Sequence, residues 1–220
     1  MRALITGASR GIGKATAQVF AEHGYEVLAP TRAELNLLDK ESVEAFVAAH
    51  AGEEIDTLVN NAGINDITTI EDADDGTISR MLEVDLVSPI RLLRGFVPAL
   101  KRSPCGRVVN IGSIWAAVSK PGRGLYSAAK NGIHGVTNAL ACEVAADGVL
   151  VNTVCPGFTA TELTVQNNTP AQIADIEKLI PLGRMAKPEE IARTVYFLGS
   201  GENTYITGQK ILVDGGFTIR

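Results

Sequence analysis

The 220-residue sequence predicts an α/β fold, a doubly wound and mostly parallel sheet covered by helices on both faces. Three observations lead there. Short apolar runs alternate with segments of helical period from end to end. The connections between them are short and polar. A glycine cluster separates the first apolar run from the first helical segment. No composition shift resembling a linker divides the chain, and no repeat of 20–50 residues is visible, so residues 1–220 are expected to form one domain.

Residues 3–6 form a short strand that stops at Gly7. Residues 12–23 carry Ile12, Ala15, Thr16, Val19 and Phe20 at helical spacing, and Gly24 closes that helix. Residues 25–29 read as a second strand, and 33–38 as a short extended piece. A helix over 42–50 precedes a strand over 56–60. Residues 74–100 are long and partly amphipathic, and Pro89 predicts a bend or break among them. Then come a strand over 107–111, a helix over 126–145, and a strand over 150–154 ending at Pro156-Gly157. A helix over 188–198 and a strand over 210–214 complete the order.

Composition excludes several classes of function. Lys and Arg number 20 against 25 Asp and Glu, a formal charge of −5, which opposes binding to nucleic acid by phosphate neutralisation. Aromatic residues make up 5%, leaving few platforms for stacking bases. No run is long and apolar enough for a membrane span, and strand-like residues follow Met1 at once, so a cytoplasmic protein is expected. Cys105, Cys142 and Cys155 are far apart and read as reduced thiols in or near the core. His23, His50 and His134 are equally scattered, and no metal site is expected.

The cluster Thr6-Gly7-Ala8-Ser9-Arg10-Gly11-Ile12-Gly13 lies where a strand gives way to a helix. Glycines there permit a tight turn and bring backbone N–H groups to a pyrophosphate at the helix N-terminus. The spacing Gly-x-x-x-Gly-x-Gly resembles that of the short-chain dehydrogenase/reductase family, of Rossmann-like fold. The resemblance continues through Asn60-Asn61-Ala62-Gly63, Ser113 with Tyr126 and Lys130, Pro156-Gly157 with Thr161, and residues 206–209 and 213–216. Within the family, residues 6–13 and 180–216 are most similar to 3-oxoacyl-carrier-protein reductases.

The resemblance implies a ketone–alcohol oxidoreductase in which Ser113, Tyr126 and Lys130 are catalytic. Tyr126 and Lys130 are four apart on a predicted helix and share one face. An ammonium beside a phenol favours the phenolate and makes it a usable general acid–base near neutral pH. Ser113 is placed to hydrogen-bond the substrate oxygen as charge develops. The resemblance assigns the cofactor to Gly7, Ser9, Arg10, Gly11, Ile12, Gly13, Thr31, Arg32, Asn36, Leu37, Asn60, Ala62, Gly63 and Ile111. It adds Tyr126, Lys130, Pro156, Gly157, Phe158, Thr159 and Thr161, with Trp115 and Phe158 joining Ser113 and Tyr126 on the substrate side.

Two departures stand out. Where the family carries an asparagine before the catalytic strand, this chain has Asp85, a fourth candidate catalytic residue whose carboxylate would stabilise the Lys130 ammonium. Only about five residues separate the second strand from Asn36, where the family places a full helix, so one sheet edge is expected to be bare or covered by a partner. Arg10 and Arg32, with Thr31, favour NADP(H) over NAD(H) by meeting a 2′-phosphate, while Glu34 is the competing signal. Trp115, Ser119, Lys120 and residues 158–181 are expected to line the cleft, with residues 164–180 acting as a lid. Small residues at Ala128, Ala129, Gly132, Gly135 and Ala139, with the resemblance, imply a homo-oligomer, a tetramer or dimer. The substrate is expected to be an acyl thioester, on an acyl carrier protein if Lys101, Arg102 and Arg123 form one basic patch; a sugar, polyol or other carbonyl, or a non-catalytic scaffold, are the alternatives.

Overall fold

The computed structural model describes residues 1–162, 164 and 169–219. Six strands form one sheet: β1 (Arg2–Ile5), β2 (Glu26–Leu28), β3 (Thr57–Asn60), β4 (Arg107–Ile111), β5 (Leu150–Pro156) and β6 (Lys210–Val213). Every pairing is parallel, in the order β2-β1-β3-β4-β5-β6. The order reverses between β1 and β3, so a crevice opens at the carboxyl ends of those two strands.

The helices are α1 (Gly11–Glu22), α2 (Lys40–His50), α3 (Asp75–Leu82), α4 (Ser88–Arg102), α5 (Gly124–Val144), α6 (Pro170–Lys178) and α7 (Pro188–Gly199). Alternation along the strands builds two cores. Leu4, Leu58, Val108 and Val151 pack with Val43, Phe46, Leu92, Phe96 and Leu140 from α2, α4 and α5. Ala3, Ile5, Val59, Val109 and Val154 pack on the other face with Phe20, Ile191 and Val195 from α1 and α7.

Two expectations about elements are corrected. Residues 33–38 are not extended: the N–H groups of Glu34 and Leu35 both donate to the Thr31 carbonyl, making a turn. The Thr31 N–H and hydroxyl also donate to Glu34, closing that turn from the side-chain direction. β2 is therefore an edge strand of three residues, with no further strand outside it among the described residues.

The second correction concerns the long helical stretch, which does not break at Pro89. It widens just before it, over Glu83–Val87, where the Ser88 N–H reaches back five residues to the Glu83 carbonyl. Pro89 has no N–H to offer Asp85 and its ring crowds that carbonyl, so the preceding turn takes an extra residue and the helix resumes. Asp85 lies within the widened turn, 1% exposed. Among the cysteines, Cys142 is exposed rather than near the core, whereas Cys155 is buried. No helix among the described residues is long and apolar enough to cross a membrane.

Candidate active site

The glycine loop between β1 and α1 is held from β3. The Thr6 hydroxyl accepts the N–H groups of Asn61 and Ala62, each at 3.0 Å. The Asn61 side-chain amide donates to the carbonyls of Thr6 and Gly7 at 2.9 and 3.2 Å. Gly7 sits at φ 67°, and a Cβ there would lie 2.8 Å from Ala62 Cα. A Cβ on Gly13 would lie 2.2 Å from the Gly7 carbonyl oxygen. Both positions exclude a side chain.

Arg10 precedes α1 in extended conformation, no side chain caps the helix, and its first turn holds no acid. The first-turn N–H groups are thus left for an external anion. Thr161 from the loop after β5 closes on this cradle, its methyl 3.2 Å from where a Gly11 Cβ would stand. Asn61 was not foreseen as a site residue, although the second asparagine of the Asn-Asn-Ala-Gly run was the signal for it.

At the carboxyl ends of β4 and β5 a second group assembles. Ser113 follows β4 by two residues, 6% exposed, its hydroxyl accepting the Trp115 N–H at 3.2 Å. Tyr126 lies in the first turn of α5 and Lys130 one turn later. The Lys130 ammonium donates to the Ile111 carbonyl at 3.0 Å, lies 3.3 Å from Asp85 Oδ1, and stands 5.4 Å from the centre of the Tyr126 ring. Asp85 Oδ1 also accepts the Ile64 N–H at 3.2 Å, while Oδ2 is buried with no partner. Gly63 makes this possible, because a Cβ there would stand 2.5 Å from Asp85 Oδ1.

Burial pushes the Asp85 carboxyl above the usual carboxylate range, against the pull of Lys130 and the Ile64 N–H. Burial pulls the Lys130 ammonium the other way, but the negative charges of Tyr126 and Asp85 outweigh it and the net direction is upward. The ammonium therefore holds its proton.

The remaining assigned residues divide. Ala62, Gly63, Ile111 and Thr161 meet around these two groups, whereas Gly157 packs against Asp214 after β6. Asn60 lies beneath the crevice, donating to Asn110, which in turn donates to Thr137. Leu37 packs in the core, and its carbonyl accepts the Ser88 hydroxyl. Asn36 caps its own turn through the Leu38 N–H. Thr31 spends its hydroxyl on Glu34 at 2.9 Å, leaving it no free donor for a phosphate. Arg10 and Arg32 are exposed and enter no ion pair among the described residues.

On the substrate side, Trp115, Phe158 and Phe217 meet edge to face, with centroids 5.2–6.3 Å apart. Lys120 and Arg123 both lie over the Trp115 ring, at 5.4 and 5.5 Å. Lys101 and Arg102 are elsewhere. They end α4 just ahead of β4, at the amino ends of the strands and away from the crevice, Lys101 paired with Asp147 and Arg102 bonded to the Pro98 carbonyl. The three cations named as one basic patch are scattered. In the predicted lid, α6 forms with a Thr169–Gln172 capping box and buries no residue, Ile180 is core, and residues 163 and 165–168 lie outside the described residues.

A phosphate cradle beside a Ser–Tyr–Lys group, on a doubly wound sheet, defines a nucleotide-dependent oxidoreductase. The family model described as short chain dehydrogenase matches residues 1–41, and the one described as enoyl-(acyl carrier protein) reductase matches residues 29–218. The chain belongs to the short-chain dehydrogenase/reductase family. It is 38% identical, over 97% of its length and 96% of the relative's, to the 3-oxoacyl-(acyl-carrier-protein) reductase FabG of Vibrio cholerae.

Two solved structures superpose over the whole chain. A provisional NAD(P)-dependent gluconate 5-dehydrogenase of Beutenbergia cavernae, with NADP at low occupancy, gives a TM-score of 0.93 at 32% identity and 97% of its own length. The ligand-free aldohexose dehydrogenase of Thermoplasma acidophilum gives 0.91 at 30% identity and 94% of its length.

Proposed function

We propose that the protein reduces a ketone to a secondary alcohol with NADPH, a 3-oxoacyl thioester being the substrate. The observation that carries the chemistry is Lys130, fixed between the Ile111 carbonyl and Asp85 beneath the Tyr126 ring. The glycine cradle fits the pyrophosphate of the dinucleotide, since a Cβ at Gly7 or Gly13 would fill it. When bound, the dinucleotide supplies the hydride to the carbonyl carbon.

Tyr126 donates its hydroxyl proton to the carbonyl oxygen as the alcohol forms. Ser113 donates a hydrogen bond to the same oxygen and stabilises its developing charge. Lys130 keeps a positive charge 5.4 Å from the centre of the Tyr126 ring while the phenol gives up its proton, which solvent then returns. Arg10 and Arg32, both without an ion pair among the described residues, support a 2′-phosphate on the ribose.

The acyl thioester rests on similarity to the Vibrio cholerae reductase. The separation of Lys101 and Arg102 from the cleft speaks against those residues as a carrier-protein dock, and with the likeness to two sugar dehydrogenases it favours a second reading, a polar hydroxy or oxo compound. A homo-oligomer is part of the proposal: Ala128 and Ala139 of α5 are exposed, and a Cβ on Gly135 would meet nothing within 4 Å, which leaves room for a second helix.

The test is oxidation of NADPH and NADH by wild type and Tyr126→Phe with 3-oxobutyryl-CoA. Turnover with NADPH that falls about 10²- to 10⁴-fold in the variant is expected. Equal rates in both proteins would sink the role of Tyr126. Tight binding of NADPH without turnover would move the substrate to the polar class.

A further inference from the structure

Arg123 stands three residues before Tyr126 at the start of α5, half withdrawn from water. One guanidinium nitrogen donates to Asn65 Oδ1 at 2.5 Å, a neutral partner. Its Nε is buried with no partner, and the plane lies over Trp115. The nearest acid in sequence to Asn65 is Asp66, but that carboxylate is bound by Arg80 at 2.6 Å. Lys120 also lies over this indole, 5.4 Å from its centre. Neither cation has a carboxylate partner among the described residues.

The loop from Asn65 to Ile70 holds this arrangement in place. The Thr68 N–H donates to the Gly122 carbonyl, and Ile67 and Ile70 fill the space where side chains on Gly122 and Gly124 would stand. Burial lowers the Arg123 guanidinium from its ordinary value, while the charge of Tyr126 opposes that fall. A cation partly stripped of water and left without a counter-charge is costly, and an anionic ligand repays that cost by charge-assisted hydrogen bonds.

We infer that the substrate carries its own negative charge, a carboxylate or phosphate monoester a few bonds from the reacting carbonyl, held by Arg123 and Lys120 against Trp115. This deepens the oxidoreductase reading and rests on it. A thioester on pantetheine places its phosphate far along the arm, so that charge cannot reach Arg123 while the carbonyl is at Tyr126. The substrate's own chain must supply it.

Trp115 is the single tryptophan of the chain, so its emission reports directly on this cleft. Protein loaded with NADP⁺ is titrated with two matched pairs. One pair is monomethyl 3-oxoadipate against methyl 3-oxohexanoate, differing by a carboxylate. The other is dihydroxyacetone phosphate against dihydroxyacetone.

In at least one pair the charged member is expected to bind about tenfold tighter or better, and the pair that responds distinguishes carboxylate from phosphate. Arg123→Gln is expected to erase the preference, Arg123→Lys to restore part of it, and Lys101→Gln, at the amino ends of the strands, to leave it unchanged. Circular dichroism confirms that each variant folds. No preference in either pair, no response to any probe, or a preference that survives Arg123→Gln together with Lys120→Gln overturns the inference. Failure here leaves the hydride reaction standing if Tyr126→Phe still abolishes NADPH turnover, so the two readings fall separately.

Discussion

Lys130 keeps its charge where water hardly reaches, with its ammonium held by one carbonyl and one carboxylate. A buried charge of this kind is tolerable only when it is paired. Asp85→Asn removes the negative neighbour that helps to hold the Lys130 proton. The expected outcome is an alkaline limb of the kcat/KM profile displaced toward lower pH, with activity near neutrality retained. An unmoved limb would show that the carboxylate is uncoupled from catalysis. A second residue bears on cofactor choice. The Glu34 carboxylate is held below its usual range by hydrogen bonds from Thr31, so it is ionised in the turn that follows β2, close in sequence to Arg32. Glu34→Gln is expected to raise the ratio of kcat/KM for NADPH over NADH several-fold, read by parallel titration of both dinucleotides. A ratio that falls or stays fixed would show that Glu34 does not face the phosphate.

At the scale of elements, the sequence revealed the strands and helices well, because the central strands β3 and β4 are largely apolar and buried on both faces. The glycine turn at Gly7 and Gly13 and the shared helix face of Tyr126 and Lys130 were legible from spacing, while Ser113 came from the family resemblance. What was hidden depends on contacts across the fold. The periodicity of residues 74–100 allowed a break at Pro89, but not that the helix would absorb the missing N–H by widening ahead of it and carry Asp85 inward. Residues 33–38 looked extended because Ala33, Leu35 and Leu37 alternate with Glu34 and Asn36, whereas the chain turns there on backbone and side-chain bonds between Thr31 and Glu34. Arg107 read simply as the first residue of a strand. It is buried, and its guanidinium binds the carbonyls of Gly106, Gly148, Ser200 and Asn203, tying together loops about a hundred residues apart. Nothing local announces such a partner set.

For the molecule as a whole, the alkaline range is the vulnerable one. Burial first, with Cys105, Tyr196 and Asp56 adding to it, pushes Tyr25 up to about 12, and burial pushes Cys155 up to about 11. Both groups hold their protons more tightly folded than unfolded, so their contribution is intact below the ordinary values, 9 for the thiol and 10 for the phenol, and is lost as pH rises toward 11 and 12. The raised Lys130 acts in the same sense above its ordinary 10.5. Urea midpoints are expected to fall between pH 9 and pH 11, and Tyr25→Phe to flatten the upper part of that decline. A midpoint that does not change over this interval would contradict the assignment. The short connection after β2 has a consequence in time rather than in energy. With a three-residue edge strand and a tight turn where a helix would stand, the adenosine half of the proposed NADP(H) site lacks a wall. A dinucleotide resting on an open rim exchanges with solution quickly, so release of the spent cofactor is not expected to be the slow event of the cycle. Rapid mixing with NADPH and substrate should then show a linear trace from the first turnover, without the burst that accompanies a product slow to leave.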